Sequence, residues 1–256
     1  MPDVIGHCVS CAVIPVYDHG TTVGATVDAL LAHGLPVILV DDGSHMATRA
    51  VLDALACRDG VALLRLPTNC GKGAAVAAGL GAARERGFSH ALQVDADGQH
   101  DTADVPRFLA AGHAQPEALI CGVPRYDASV PRGRLYGRYL THVCVWLETL
   151  SLAIKDSMCG YRLYPLAASC AEIAAHTPPA RMDFDTEIAV RLYWRGLSIV
   201  NLPTRVIYPA NGLSHFRLWR DNLRISAMHT RLLLGMLPRA VRLLRRCPLR
   251  EPACAA

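Results

Sequence analysis

The strongest constraint in this chain is a rhythm. Apolar runs of strand length, without polar alternation, are separated by Ala-rich stretches of helical period. "CAVIPV" (11–16) precedes a helix expected at about 21–33, "PVILV" (36–40) one at 47–57, and "VALLRL" (61–66) one at 72–86. "HALQV" (90–94) and "ALICG" (118–122) are the fourth and fifth runs. A strand that is apolar on both faces must be covered on both faces, which a parallel sheet flanked by helices provides. The expected fold class is therefore α/β, a Rossmann-like, mostly parallel sheet with helices on both faces.

In such sheets ligands bind beyond the carboxyl ends of the strands. Three polar clusters fall there: "YDHG" after the first run, "DDGS" after the second and "DADGQHD" after the fourth. Asp95 and Asp97 are two residues apart, so in extended backbone both carboxylates point to one face and can converge on one cation. Oxygen ligands suit a hard ion, Mg2+ or Mn2+, and Gln99, two residues further, can add a neutral oxygen. Asp101 or Thr102 can cap the following helix, but that role does not need Asp95 or Asp97. Asp41 and Asp42 read either as a plain turn or as acceptors for a ribose or base. "NCGKGAA" is not a Walker loop, because the required glycine five residues before Gly71 is Leu66. Lys72 nevertheless opens a helix, where an ammonium and free amides can hold a diphosphate.

From about residue 131 the rhythm changes. A long helix is expected at 133–154, a polar loop at 156–165, a helix at 183–195 ending at Gly196, and two short strand-like runs within 197–209. Arg125, Arg132, Arg134, Arg138 and Arg162 lie in or beside this region and suit a phosphate-bearing ligand. No linker divides it from the first half, so the expected division is a globular domain at 1–215 and a basic amphipathic helical tail at 216–256. The segment 217–250 holds nine Arg and one acidic residue, Asp221, in a chain of net charge +4. That tail reads as a helix against the core or as a helix lying at a membrane interface. Nucleic acid is the weakest partner, since aromatics are 6% of the chain and no recognition-helix or zinc-finger spacing occurs. The ten Cys give no zinc-ribbon pairs and read as reduced thiols of a cytoplasmic protein. "MPDVIGHC" lacks the basic and apolar regions of a secretory signal, and windows such as "LLLGML" are far shorter than a bilayer span.

Taken together and in order, "VIPVYDHG", "VDDGS", "NCGKGAA" and "DADGQHD" resemble glycosyltransferase family 2, over about residues 11–214. "DSMCGYRLYP" is most similar to the branch containing dolichyl- and polyprenyl-phosphate sugar transferases. The resemblance implies a GT-A (nucleotide-diphospho-sugar transferase) fold and inverting transfer from a UDP- or GDP-sugar to a lipid-linked or hydrophobic acceptor. It implies Mg2+ or Mn2+ held by Asp95, Asp97 and Gln99, and a nucleoside pocket lined by Pro15, Tyr17, Asp41 and Asp42. Arg125 would face a phosphate. Asp156, within D-x-x-C-G-x-R, would be the base, with Arg162 close by and Glu187 the second candidate. The family's Y-N-E stands here as Tyr17-Asp18-His19. The implied location is cytoplasmic, at the inner face of a membrane. Two alternatives stay open: a sugar nucleotidyltransferase, although "VYDHG" occupies the place of that class's Gly-rich basic loop, and a non-enzymatic membrane-surface module using the Arg-rich tail.

Overall fold

The computed structural model describes residues 8–125, 132–206 and 218–246, without the side chains of 132–137 and 218–221. The expected junction at 215/216 and the side chains of Arg132 and Arg134 lie outside the described residues. The first half follows the rhythm closely: β1 (Ser10–Val16), α1 (Val23–Ala32), β2 (Val37–Asp41), α2 (Met46–Ala56), β3 (Val61–Arg65), α3 (Lys72–Glu85), β4 (His90–Gln93), α4 (Val105–Ala114) and β5 (Leu119–Arg125). Then come α5 (Arg132–Thr149), β6 (Arg162–Pro165), α6 (Leu166–Ala175), α7 (Phe184–Arg195), β7 (Ile199–Arg205), α8 (Leu218–Met236) and α9 (Ala240–Leu244).

The strands form one sheet in the order β3-β2-β1-β4-β6-β5-β7. All neighbours are parallel except β6, which runs antiparallel to both β4 and β5. Strands β1, β2 and β3 step outward in one direction, and β4 then returns to the other side of β1. That reversal is the topological switch point where α/β sheets open a crevice. It brings the three polar clusters to one sheet edge. Because β6 is antiparallel, the loop that enters it, 156–161, arrives at the same edge.

Alternate side chains of β1 feed two cores, as a two-sided strand requires. Val13 packs with Val40, Leu80, Phe184 and Ile188 on one face, and Ile14 with Leu30, Leu39, Leu92 and Phe108 on the other. Each such side chain contributes roughly 1.5–3 kcal/mol when fully buried. Helix α3 lies unusually close to the sheet because it is built from Ala and Gly. A Cβ on Gly79 would sit 2.4 Å from Val13 Cγ1 and 3.0 Å from Val40 Cγ2, and one on Gly73 2.4 Å from Phe184 Cβ.

The second half departs from expectation in four places. The expected polar loop at 156–165 contains β6, a four-residue strand whose burial is complete. Helix α6 follows it directly and had no sequence signal in the reading above. The described part of the two expected runs, 197–206, holds one strand, β7, along the edge, and 207–209 lie outside the described residues. The long helix stops at Thr149, where Leu150 turns left-handed at φ 48°. Gly196 does end α7, at φ 116°, a conformation open to glycine. Met228 and Leu232 of α8 are buried in the core. His229 Nδ1 lies 2.6 Å from Glu148 Oε1, and Arg231 donates to Glu187. Arg246 donates to the Leu197 carbonyl at 2.8 Å and lies over the Tyr193 ring. The described part of the tail is thus a packed layer against α5 and α7, while Leu223, Leu234, Val241 and Leu244 stay exposed.

Contact between α3 and the sheet can be tested at two glycines. Gly79→Val is expected to cost about 1–3 kcal/mol by overpacking. Gly81→Ala, where nothing lies within 4 Å of the added Cβ, is expected to gain up to about 1 kcal/mol from helix propensity. Urea unfolding of both variants separates them; equal losses would contradict the close approach.

Candidate active site

The carboxylates at the switch point are held by the residues around them. Lys72, first residue of α3, has its Nζ 2.8 Å from Asp95 Oδ1, 2.9 Å from Asp95 Oδ2 and 3.3 Å from Asp185 Oδ2 on α7. Gln93 Nε2 donates to Asp185 Oδ1 at 3.2 Å, and Tyr164 of β6 donates its hydroxyl to Gln93 Oε1 at 3.1 Å. The buried ring of His100 stacks on Tyr161 and puts Nε2 3.4 Å from Asp95 Oδ2. Burial opposes ionisation of Asp95, but Lys72 and His100 override it and hold the carboxyl well below the usual range. Burial likewise opposes the charge on Lys72, and Asp185 and Asp95 override it, holding the amine above the usual lysine range. One ammonium is thereby fixed between two carboxylates from different elements.

Gly160 closes this cluster from the β6 side. A Cβ there would lie 2.8 Å from Lys72 Nζ, 2.8 Å from Gln93 Nε2 and 3.1 Å from Asp95 Oδ1. The glycine of D-x-x-C-G-x-R is therefore a space requirement. Four residues earlier, Asp156 is buried and fully engaged. Its Oδ1 accepts the amides of Met158 and Cys159, each at 2.8 Å, and its Oδ2 accepts Arg138 Nε at 2.8 Å and a terminal Arg138 nitrogen at 2.5 Å. His142 Nε2 lies 3.8 Å from the same oxygen. Burial, assisted by Arg138 and opposed by Asp156, keeps His142 below the ordinary histidine range, so the ring is neutral at pH 7.

Asp97 sits half-buried in the turn after β4, and its Oδ1 accepts the backbone amide of Gln99 at 3.0 Å. Gln99 thus touches Asp97 through its amide. Among the described residues no three His, Cys, Asp or Glu side chains gather as a metal cage. Asp41 is wholly buried and accepts the Ser44 amide at 2.8 Å and Arg65 Nε at 3.2 Å. Asp42 accepts the amides of Cys70 at 2.7 Å and Gly71 at 2.8 Å, which ties the end of β2 to the entry of α3. Burial raises the Asp42 carboxyl, with these two amides opposing. Asp18, at φ 58°, accepts the His45 amide and ring at 2.8 and 2.6 Å. Pro15 is buried in β1 opposite Val40, and Tyr17 follows at the strand end.

Three expected site residues lie apart from the cluster or inside it as struts. Arg162 is fully buried and donates to the carbonyls of Asp185 and Ser157, so it joins β6, α7 and the 156–160 loop. Glu187 is 1% exposed and pairs with Arg191 and Arg231, facing α8. Its neighbour Asp185 is the carboxylate of α7 that meets the site. Arg125 is exposed at the end of β5, beside Arg205 of β7. Asp185, Gln93, His100, Arg138 and Tyr164 complete the cluster. Of these His100, Gln93 and Tyr164 lay within quoted stretches and Arg138 among the quoted arginines, while nothing in the local sequence marks Gln93, Tyr164 or Asp185 as members of a charged cluster. The eight described cysteines are free. Burial pushes the thiols of Cys11 and Cys159 up to about 12 and that of Cys121 up to about 11, so they are protonated and inert.

Comparison with known proteins fits this geometry. The family model described as "Glycosyl transferase family 2" matches residues 11–165, which contain the switch-point edge apart from Asp185 of α7. The chain belongs to glycosyltransferase family 2. It is an enzyme of that family, with the GT-A fold. Polyprenol monophosphomannose synthase of Mycolicibacterium smegmatis is 28% identical to this family 2 glycosyltransferase over 217 residues, 75% of this chain and 74% of that one. Undecaprenyl-phosphate mannosyltransferase of Micrococcus luteus is 30% identical over 163 residues, 59% of this chain and 64% of that one. Glucosyl-3-phosphoglycerate synthase of Mycobacterium tuberculosis, crystallised with Mn2+, UDP and glucosyl-3-phosphoglycerate, superposes with a TM-score of 0.64 at 16% identity, covering 90% of this chain and 79% of that one. The likeness to polyprenyl-phosphate sugar transferases first read from "DSMCGYRLYP" holds across these relatives.

Gly160→Ala tests the cluster. Only side-chain ends meet the new methyl, so the variant is expected to fold with a stability loss of at most about 1 kcal/mol. Displacing Lys72 from Asp95 is expected to lower turnover by roughly a hundredfold, the usual cost of a small misplacement of catalytic groups. Wild-type turnover in a folded Gly160→Ala enzyme would contradict the arrangement.

Proposed function

We propose that this family 2 glycosyltransferase moves a sugar from a nucleoside diphosphate sugar, UDP- or GDP-linked, to a polyprenyl phosphate. Mg2+ or Mn2+ is its cofactor, the anomeric carbon is inverted, and the enzyme works in the cytoplasm at the inner face of a membrane. The observation that carries the reading is the Arg138–Asp156 pair, whose Asp156 stands four residues before Gly160, the glycine packed against Asp95 and Lys72. A phosphate monoester arrives ionised. It needs a guanidinium to bind it and no base to deprotonate it. Asp156, with both oxygens engaged, suits the positioning of Arg138 better than removal of a proton. The names of the relatives, which act on polyprenol and undecaprenyl phosphate, support the same acceptor class.

The residues that would hold the metal are Asp97 and its neighbour Asp95. Carboxylate oxygens fit a hard divalent ion, and two carboxylates completed by substrate phosphates and water are the usual Mg2+ arrangement. When bound, the ion would neutralise charge on the departing nucleoside diphosphate. The protein's own share is electrostatic and geometric. Lys72 and the amides at the start of α3 face the diphosphate side, and the Asp42 bonds to Cys70 and Gly71 fix that helix entrance. Pro15, Tyr17, Asp41 and Asp42 form the proposed nucleoside pocket, with Arg125 on the phosphate side. The acceptor's phosphate oxygen attacks the anomeric carbon as the bond to the diphosphate breaks, which gives inversion and releases a nucleoside diphosphate.

Purified enzyme given undecaprenyl phosphate and a panel of UDP- and GDP-sugars is expected to form a lipid-linked sugar and to stop with EDTA. Asp97→Ala is expected to lower kcat roughly 10²–10³-fold. Arg138→Ala is expected to raise the acceptor KM about tenfold or more, leaving the donor KM unchanged. Transfer that ignores EDTA would remove the metal. Transfer to alcohols but to no lipid phosphate would overturn the acceptor.

A further inference from the structure

Helix α5 changes character along its length. At Arg138 it faces Asp156, and one turn later His142 brings its Nε2 to 3.8 Å from the same carboxylate. His142 stacks on Trp146 with ring centroids 6.5 Å apart, and Trp146 walls an open cavity of about 410 Å³. Val143, Leu147, Leu150, Leu152 and Leu244 complete its apolar lining. Arg138, His142 and Trp146 are spaced i, i+4 and i+8, and Val143, first of the lining residues, is five residues on, so the cavity begins about 7.5 Å along the helix axis from Arg138 and reaches Trp146 at about 12 Å. Outside it, Leu140 extends the apolar face back toward Arg138, and within the lining Leu147, Leu152 and Leu244 are 53%, 68% and 71% exposed.

Large apolar side chains gathered around one exposed groove mark a binding surface. This groove is made deliberately by the fold. Leu150 turns left-handed and ends α5, which sends Leu150 and Leu152 across the helix end, while Trp146 Nε1 donates to the Ile154 carbonyl and fixes that turn. On the far side Arg246 donates to the Leu197 carbonyl, which sets α9 and Leu244 at the rim. We propose that the groove takes the isoprenoid chain of the acceptor, whose phosphate is held at Arg138. The proposal rests on the polyprenyl-phosphate reading given above. What selects this occupant is continuity: the ring contacts from Asp156 through His142 to Trp146 join the phosphate end to the apolar end without a break. A flat bilayer contact would need no cavity and no link to Asp156.

The test uses the full chain carrying Leu147→Gln and Leu152→Gln, two exposed positions whose change leaves the core intact. Steady-state kinetics in detergent compare undecaprenyl phosphate with citronellyl phosphate, which is too short to fill the groove. The double variant is expected to raise KM for undecaprenyl phosphate about tenfold with kcat unchanged, and to leave the citronellyl phosphate KM within about twofold. Direct binding of radiolabelled undecaprenyl phosphate is expected to weaken by the same factor. Unchanged long-chain KM and binding would overturn the proposal. So would equal losses for both acceptors, or a variant whose defect is confined to attachment to phosphatidylcholine vesicles or to self-association. If the wild type binds undecaprenyl phosphate through the groove and transfers no sugar to it, the acceptor reading fails while the groove assignment stands.

Discussion

One ammonium between two carboxylates holds the catalytic edge together. Lys72 begins α3, Asp95 lies just past the end of β4 and Asp185 lies in the first turn of α7, so a single cation ties α3 and α7 to the loop after β4 at the switch point. Each partner loses hydration on burial, and their mutual attraction and the added bond from Gln93 to Asp185 offset that cost. Removing Lys72 would leave Asp95 and Asp185 without their shared cation. This is why the small residues crowd here. Gly73 and Gly79 let α3 approach the sheet and α7, and Gly160 leaves room for the Lys72 Nζ. Gln93 and Tyr164 then carry the same network into β6, so the second half of the chain shares the electrostatics of the first.

Much of the sheet was legible because its signal is physical and local. Unbroken apolar runs cannot face water, and their spacing by helices leaves a parallel order as the simplest solution. The Asp95–Asp97 stretch pointed to the switch-point edge, but the strand period behind that expectation does not apply there, because β4 ends at Gln93 and Asp97 lies in the turn that follows. Strand β6 was hidden. Arg162-Leu-Tyr-Pro is four residues long and begins with an arginine that becomes fully buried through carbonyl contacts made elsewhere in the chain. Asp185 was hidden differently. Positions two apart on a helix point to nearly opposite sides, so Asp185 meets Lys72 while Glu187 meets Arg191 and Arg231. Which side faces the sheet is decided by α3 and α8, and no local pattern contains that information.

Helix α5 links the reacting centre to the surface. Its first described turns present Arg138 to Asp156, and its last turns present Trp146 and Leu147 to an apolar groove. Helices α8 and α9 close the far side through ion pairs, carbonyl contacts and the buried Met228 and Leu232. The described part of the basic tail, which as sequence reads equally as a membrane arm, is thereby part of the wall of the apolar groove. No helix among the described residues is long and apolar enough to cross a membrane.

The Lys72 bridge is tested most directly by a double-mutant cycle in urea, using Lys72→Met, Asp185→Asn and the pair together. A coupling energy of about 1 kcal/mol or more between the two sites is expected, since contacting charges in one network do not behave independently. Losses that add to within about 0.5 kcal/mol would mean that the two side chains do not interact, and the bridge on which the catalytic edge depends would be absent.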